Sequence, residues 1–150
     1  MPFRIREDAR KWFKDLREDG FSTDFDSFYF CFIAGISKSQ KRDVPISETG
    51  ELVDYYPDRY RDRGRLLVSL FLASELRALG VGMTEKKIVH SEISRLVKPD
   101  SPSYLSDDGM KEFNKYAFGG FDILIEWFDD RPRNLETFLS GFKSRLDEVA

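Results

Sequence analysis

The chain has 150 residues, 41% hydrophobic and 15% aromatic, enough apolar material for a single domain with a buried core. Its 24 Lys and Arg against 27 Asp and Glu give a net charge of -3, which excludes attraction to nucleic acid or anionic membrane through overall charge and requires any such site to be local. One cysteine excludes an internal disulfide, the first residues lack the apolar run of a signal peptide, and no segment reaches the roughly 20 apolar residues that span a bilayer, so a cytoplasmic protein is expected.

Ile5, Ala9, Trp12, Phe13 and Leu16 recur at spacings of three and four, which predicts an amphipathic helix closed by Gly20. Phe25, Phe28, Tyr29, Phe32, Ile33 and Ile36 predict a second, with Ser22 or Thr23 as cap, Asp24 and Asp26 in the first turn and Cys31 as a core residue. In the polar stretch that follows, Val44, Ile46, Leu52, Val53 and Tyr55 fit a short β-hairpin around Thr49 and Gly50. Pro57 suits the first position of a third helix, whose run RLLVSLFLASELRAL, Arg65 to Leu79, is apolar on nearly every side, as in a central buried helix. A GVGM turn leads to a fourth helix begun by Thr84, with Val89, Ile93, Leu96 and Val97 inward, and Pro99 and Pro102 break the chain after it. Ser106 caps a fifth helix carrying Met110, Phe113, Ala117, Phe118, Phe121, Leu124, Ile125 and Phe128. Gly119 and Gly120 inside it cost about 1 kcal/mol each relative to alanine, so they predict a kink or a close backbone approach. Asn134 caps a last helix with Leu135, Phe138, Leu139, Phe142, Leu146 and Val149 on one stripe. The expectation is a mainly α single domain, 1–150, of about six helices, with a short β-hairpin between the second and third and a helix-turn-helix-like pair.

RYRDRGR places Arg59, Arg61, Arg63 and Arg65 at alternate positions. In a helix they fall on nearly opposite faces; in an extended chain all four point one way. One reading is phosphate contact by guanidinium groups, widened by Lys38, Lys41 and Arg42; the other is a wet helix start in which Asp58 and Asp62 pair with neighbouring arginines. Downstream, Ala78, Gly82 and Ile88 have the spacing of a helix-turn-helix, although Ser91 stands where such units want another apolar residue. That reading makes Lys86, Lys87, His90, Ser94 and Arg95 the DNA-facing side. His90 has no cysteine or serine partner suggesting a nucleophilic triad, and zinc-type spacings are absent. Pro57-Asp58 with Glu85 and Lys87 imitates a nuclease motif that needs adjacent strands, and the residues between are helical. Asp43, Glu48, Glu51, Asp54 and Asp58 are either ordinary surface acids or oxygen ligands for magnesium.

Three stretches in order, FDSFYFCFIAGI, ELVDYYPDRYRDRGRLLVSLFLASELRALGV and LSDDGMKEFNKYAFGGFDILIEW with a following RPRNLETFL, resemble the small SspB-type proteins of bacterial DNA phosphorothioate-modification and phage-defence clusters. The resemblance implies a DNA-nicking protein that uses a divalent metal and works with a cysteine desulfurase and an ATPase to place sulfur in one strand of the DNA backbone. It carries over no catalytic residue. In such a protein Mg²⁺ polarises the phosphate and activates water while arginines hold the flanking phosphates, and Asp54 and Asp58, which bracket the turn into the arginines, are the expected ligands. A homodimer would double the basic patch. Two other readings stand beside this one: a non-catalytic helical adaptor that binds partner proteins, and a helix-turn-helix DNA-binding regulator.

Overall fold

Apolar residues three and four apart share one face of a helix, and that face has to be covered. The computed structural model describes residues 1–80, 82 and 84–149. Among them the order is β1 (Arg4–Arg6), α1 (Glu7–Trp12), α2 (Lys14–Asp19), α3 (Asp24–Ser37), β2 (Thr49–Glu51), α4 (Gly64–Ala78), α5 (Lys86–Leu96), α6 (Asp107–Trp127) and α7 (Leu135–Val149), with 3-10 helices at Ile46–Glu48 and Asp58–Arg63. The fold is mainly α, as the spacings predict. Among the described residues no helix is long and apolar enough to cross a membrane. The chain divides into two compact units, one of Met1–Phe3 with Val53–Phe113, the other of Arg4–Leu52 with the residues from Asn114 onward.

In the first unit the Phe3 ring lies 5.3 Å from Tyr56 and 5.7 Å from Phe113, which meets Phe71 of α4 at 5.3 Å. The Phe3 N–H donates to the Val53 carbonyl. Helix α4 buries Leu67, Val68, Phe71 and Leu76 but leaves Leu66 and Leu70 59% and 36% exposed. It is therefore one-sided, unlike the fully buried helix expected from its composition. Helix α5 starts at Lys86, two residues after Thr84, and buries Val89 and Leu96. Val97, expected inside that helix, forms an isolated bridge with Leu105 instead. The connection 79–85 exceeds the three or four residues of a helix-turn-helix turn; Val81 and Met83 of the GVGM segment lie outside the described residues. Ala78 is exposed and Ile88 is 49% exposed, so the α4–α5 pair is not packed around the positions a helix-turn-helix buries.

In the second unit β1 and β2 pair antiparallel, Arg4 opposite Glu51 and Arg6 opposite Thr49. The strand falls where the hairpin was expected, but its partner is the N-terminal segment. Pro45 lacks an N–H for a ladder, and Ile46–Glu48 coils into a 3-10 turn, leaving no second strand alongside. The predicted first helix divides at Phe13, yet hydrogen bonds from Phe13 N–H to the Ala9 carbonyl and from Arg17 N–H to the Phe13 carbonyl, both 3.0 Å, carry the helical face through. The Asp26 carboxylate accepts the Ser22 and Thr23 N–H groups at 2.8 and 3.2 Å ahead of α3, and Asn134 Oδ1 accepts the Thr137 N–H at 2.9 Å ahead of α7. Phe138 of α7 closes the aromatic core, with Trp12, Phe13, Phe21 and Phe30 around its ring.

Helices α3 and α6 meet backbone to backbone. A Cβ on Gly120 would fall within the Cys31 carbonyl, one on Gly35 within the Tyr116 carbonyl, and one on Gly119 would stand 2.5 Å from the Gln40 carbonyl. The paired glycines thus serve a close approach, and α6 runs unbroken through them. Gly120→Ala is expected to destabilise the protein by at least about 3 kcal/mol, because rigid backbone on both sides prevents relief. Gly82→Ala, whose Cβ would meet only Thr84 Oγ1 at 3.7 Å, is expected to change stability by under about 1 kcal/mol. Thermal unfolding of the two variants checks the contrast, and similar melting temperatures would contradict it.

Candidate nucleic-acid interface

The arginine segment is neither extended nor α-helical at its start. It is a 3-10 helix over Asp58–Arg63 entered through Pro57, whose carbonyl accepts the Tyr60 N–H at 2.7 Å. At about three residues per turn, positions three apart eclipse and positions two apart diverge. Arg59, Arg61 and Arg63 therefore fan out, and Asp58 falls over Arg61 and forms an ion pair with it. Those side chains are 92% and 72% exposed, so the pair is worth about 0–1 kcal/mol and yields readily to a competing anion. Arg63 is exposed and has no ion pair among the described residues.

Buried tyrosines hold this segment. Tyr60 sits in the core. Tyr56 packs against Gly64, where a Cβ would stand 2.6 Å from its ring, and its hydroxyl donates to the Ser103 carbonyl at 3.0 Å. Burial pushes the Tyr56 phenol well above its ordinary pKa, so it remains a donor at neutral pH. Tyr104 stacks on Tyr56 with centroids 6.0 Å apart, and the Arg65 guanidinium lies 5.5 Å over the Tyr104 ring. Tyr104 has φ +64°, a left-handed conformation that costs a bulky residue about 1–3 kcal/mol and persists only where its surroundings impose it. Here the Tyr104 N–H donates to the Ser101 carbonyl, and its own carbonyl accepts the Lys98 N–H.

The other predicted cations are differently placed. Lys38, Lys41 and Arg42 belong to the second unit, whereas Arg59 to Arg65 belong to the first. Lys41 lies 5.5 Å over the Tyr116 ring. Arg42 Nη1 donates to both oxygens of Asp122 at 2.9 Å, and Arg6 Nη1 donates to the same carboxylate at 2.9 Å. Arg6 is buried; burial lowers its pKa, but hydrogen bonds to Asp8 and Asp122 more than offset this and leave the value raised. Arg42 is thus engaged in a structural network. On α5, Lys86, Lys87, His90 and Ser94 are exposed, while Arg95 pairs with Glu92 at 2.6 Å, an interaction that raises its pKa.

Asp54 lines a cavity of about 260 Å³ together with Lys98, Asp100, Ser103 and Asp107, whereas Asp58 faces Arg61. Among the described residues no group of three His, Cys, Asp or Glu is arranged to hold a metal ion. Asp54 and Asp58 thus face different neighbours. Burial pushes the Cys31 thiol up, as for the core residue expected at that position. Tyr56, Gly64 and Tyr104 were not among the expected site residues. The interleaving of tyrosine and arginine in YYPDRYRDRGR is a sequence signal that could have found Tyr56, whereas Tyr104 comes from a distant loop.

No family model, curated protein or solved structure matches the chain.

Asp122→Ala is expected to cost about 3 kcal/mol, because it strips a buried guanidinium of one of its carboxylates. Asp58→Ala, which removes a solvent-exposed pair, is expected to stay within about 0.5 kcal/mol of the unsubstituted protein. Urea unfolding of both variants checks the pair, and an Asp122→Ala protein as stable as the parent would contradict it.

Proposed function

We propose that the chain binds the phosphate backbone of DNA through Arg61, Arg63 and Arg65. The observation that carries this reading is three exposed guanidiniums on one segment, with Arg65 over the strained Tyr104. Guanidinium groups match phosphate oxygens bidentately, and the Tyr104 ring beneath Arg65 holds that guanidinium in place. Asp58 serves as an internal stand-in for phosphate, holding Arg61 until DNA displaces it.

The resemblance to SspB-type proteins extends the proposal to Mg²⁺-dependent nicking within a phosphorothioate-modification and phage-defence system. This reading includes a cytoplasmic location, partner proteins of a sulfur-modification complex and a homodimer that doubles the basic surface. The nicking step is assigned to no residue, since the resemblance carries over no catalytic residue; Asp54 and Asp58 remain the proposed Mg²⁺ ligands. A second reading, a non-catalytic adaptor, is favoured by the exposure of Leu66 and Leu70 on α4, an apolar pair suited to a partner protein. The regulator reading loses support from the exposed Ala78 and Ile88.

DNA affinity is expected to fall steeply with salt. Arg61→Ala/Arg63→Ala is expected to weaken binding similarly across sequences and to reduce the logarithmic salt slope by about 1–2, one unit or slightly less per lost phosphate contact. Fluorescence anisotropy at several salt concentrations measures this; equal affinity and slope in the variant would remove the arginines from the interface. Supercoiled plasmid is expected to relax to open circles with Mg²⁺ and to stay intact with chelator. Retention of DNA without nicking would separate binding from catalysis, and absence of both would favour the adaptor.

A further inference from the structure

Helices α1 and α2 carry a second concentration of cations, in the unit that does not contain the arginine segment. Their buried stripe is Ala9, Phe13 and Leu16, so the same periodicity sends Arg10, Lys14 and Arg17 to an outer face at spacings of four and three. They border an open groove of about 460 Å³ lined by Arg10, Lys11, Lys14, Arg17, Glu18 and Asp24. Four of these six are cationic. Asp24, the first residue of α3, lies between the two guanidiniums, its Oδ2 3.3 Å from Arg10 Nε and its Oδ1 2.9 Å from Arg17 Nε. Glu7 Oε1 accepts from Arg10 Nη1 at 3.1 Å, and Arg17 Nη1 donates to the Phe21 carbonyl at 3.1 Å. The two arginines are therefore positioned before any ligand arrives.

The cations here are held differently from those of a merely solvated face. Arg10 Nε is buried beside Asp24 Oδ2 at 3.3 Å, so that carboxylate fills the space at this donor and fixes the guanidinium. Lys11 and Lys14 are exposed, and among the described residues their ammonium groups have no ion pair. Asp24 is already offset by the two guanidiniums, which leaves the lysines uncompensated except by Glu18.

We infer that this groove binds a run of phosphates. Arg10 to Arg17 spans about 10 Å along the helix axis, more than a single phosphate needs. The lining holds no aromatic ring on which a base could stack, and its apolar surface is the stems of charged side chains, so recognition is by charge along a chain. A nucleic-acid strand or an inorganic polyphosphate supplies that chemistry. The inference stands apart from the arginine segment of the first unit, and either can fail without the other.

The test is calorimetric titration of the full chain with tripolyphosphate at low salt. Binding is expected in the unsubstituted protein and in Arg61→Ala/Arg63→Ala, with at least about a tenfold loss in Lys11→Gln/Lys14→Gln, whose exposed side chains are not needed for folding. Competition with a single-stranded oligonucleotide identifies the source: displacement assigns the groove to a nucleic-acid backbone, and persistence assigns it to a free polyphosphate. No tripolyphosphate binding, or equal binding in the lysine variant with its circular dichroism unchanged, would overturn the inference.

Discussion

The contact of α3, and of the residues just after it, with α6 leaves no room for a side chain at Gly35, Gly119 or Gly120, and much of the second unit depends on it. With the helix backbones this close, the chain leaving α3 is drawn across α6: Gln40 lies on Gly119, and the Arg42 N–H reaches the Lys115 carbonyl at 3.1 Å. That path delivers the Arg42 guanidinium to Asp122, where it joins Arg6 on one carboxylate. A buried arginine is tolerable only when its donors are met. Arg6 meets this condition through Asp8, Asp122 and the Phe118 carbonyl. Packing at the glycines and neutralisation of Arg6 are thus successive parts of one arrangement.

Net charge says little about such a protein, because its cations do different work. Arg6, Arg42 and Arg95 are held by carboxylates in hydrogen-bonded pairs. Arg63, Lys11 and Lys14 are exposed without ion pairs among the described residues, and Arg61 is paired with a solvent-exposed aspartate. A chain with an acid excess can therefore still present local positive surface, as its composition requires of any nucleic-acid site.

The helices were legible because burial imposes a repeat of three and four. Phe25 to Ile36 obey it, as do Met110 to Phe128 apart from the exposed Ile125, and the caps at Ser106 and Asn134 follow from side chains that reach the next turn. What stayed hidden depended on partners distant in sequence. β2 pairs with Arg4–Arg6 because Pro45 and the turn after it cannot form a neighbouring strand. Leu66 and Leu70 look like core by composition, but the neighbours that decide their exposure are not in the local pattern. The same limit applied to the site. RYRDRGR was visible, yet its 3-10 winding and the Tyr104 ring under Arg65 required coordinates, as did the capture of Arg42 by Asp122. The cationic face of α1 and α2 is implicit in the first helix, since Arg10, Lys14 and Arg17 fall opposite its apolar stripe.

The central claim is that the exposed arginines after Pro57 contact phosphate. Backbone-amide NMR of the full chain titrated with a short single-stranded oligonucleotide tests it most directly. The account predicts progressive, saturable shifts clustered at Asp58–Arg65 and Tyr104 that fade as salt is raised. Shifts confined to the exposed apolar side of α4 around Leu66 and Leu70, or none under low salt, would contradict it.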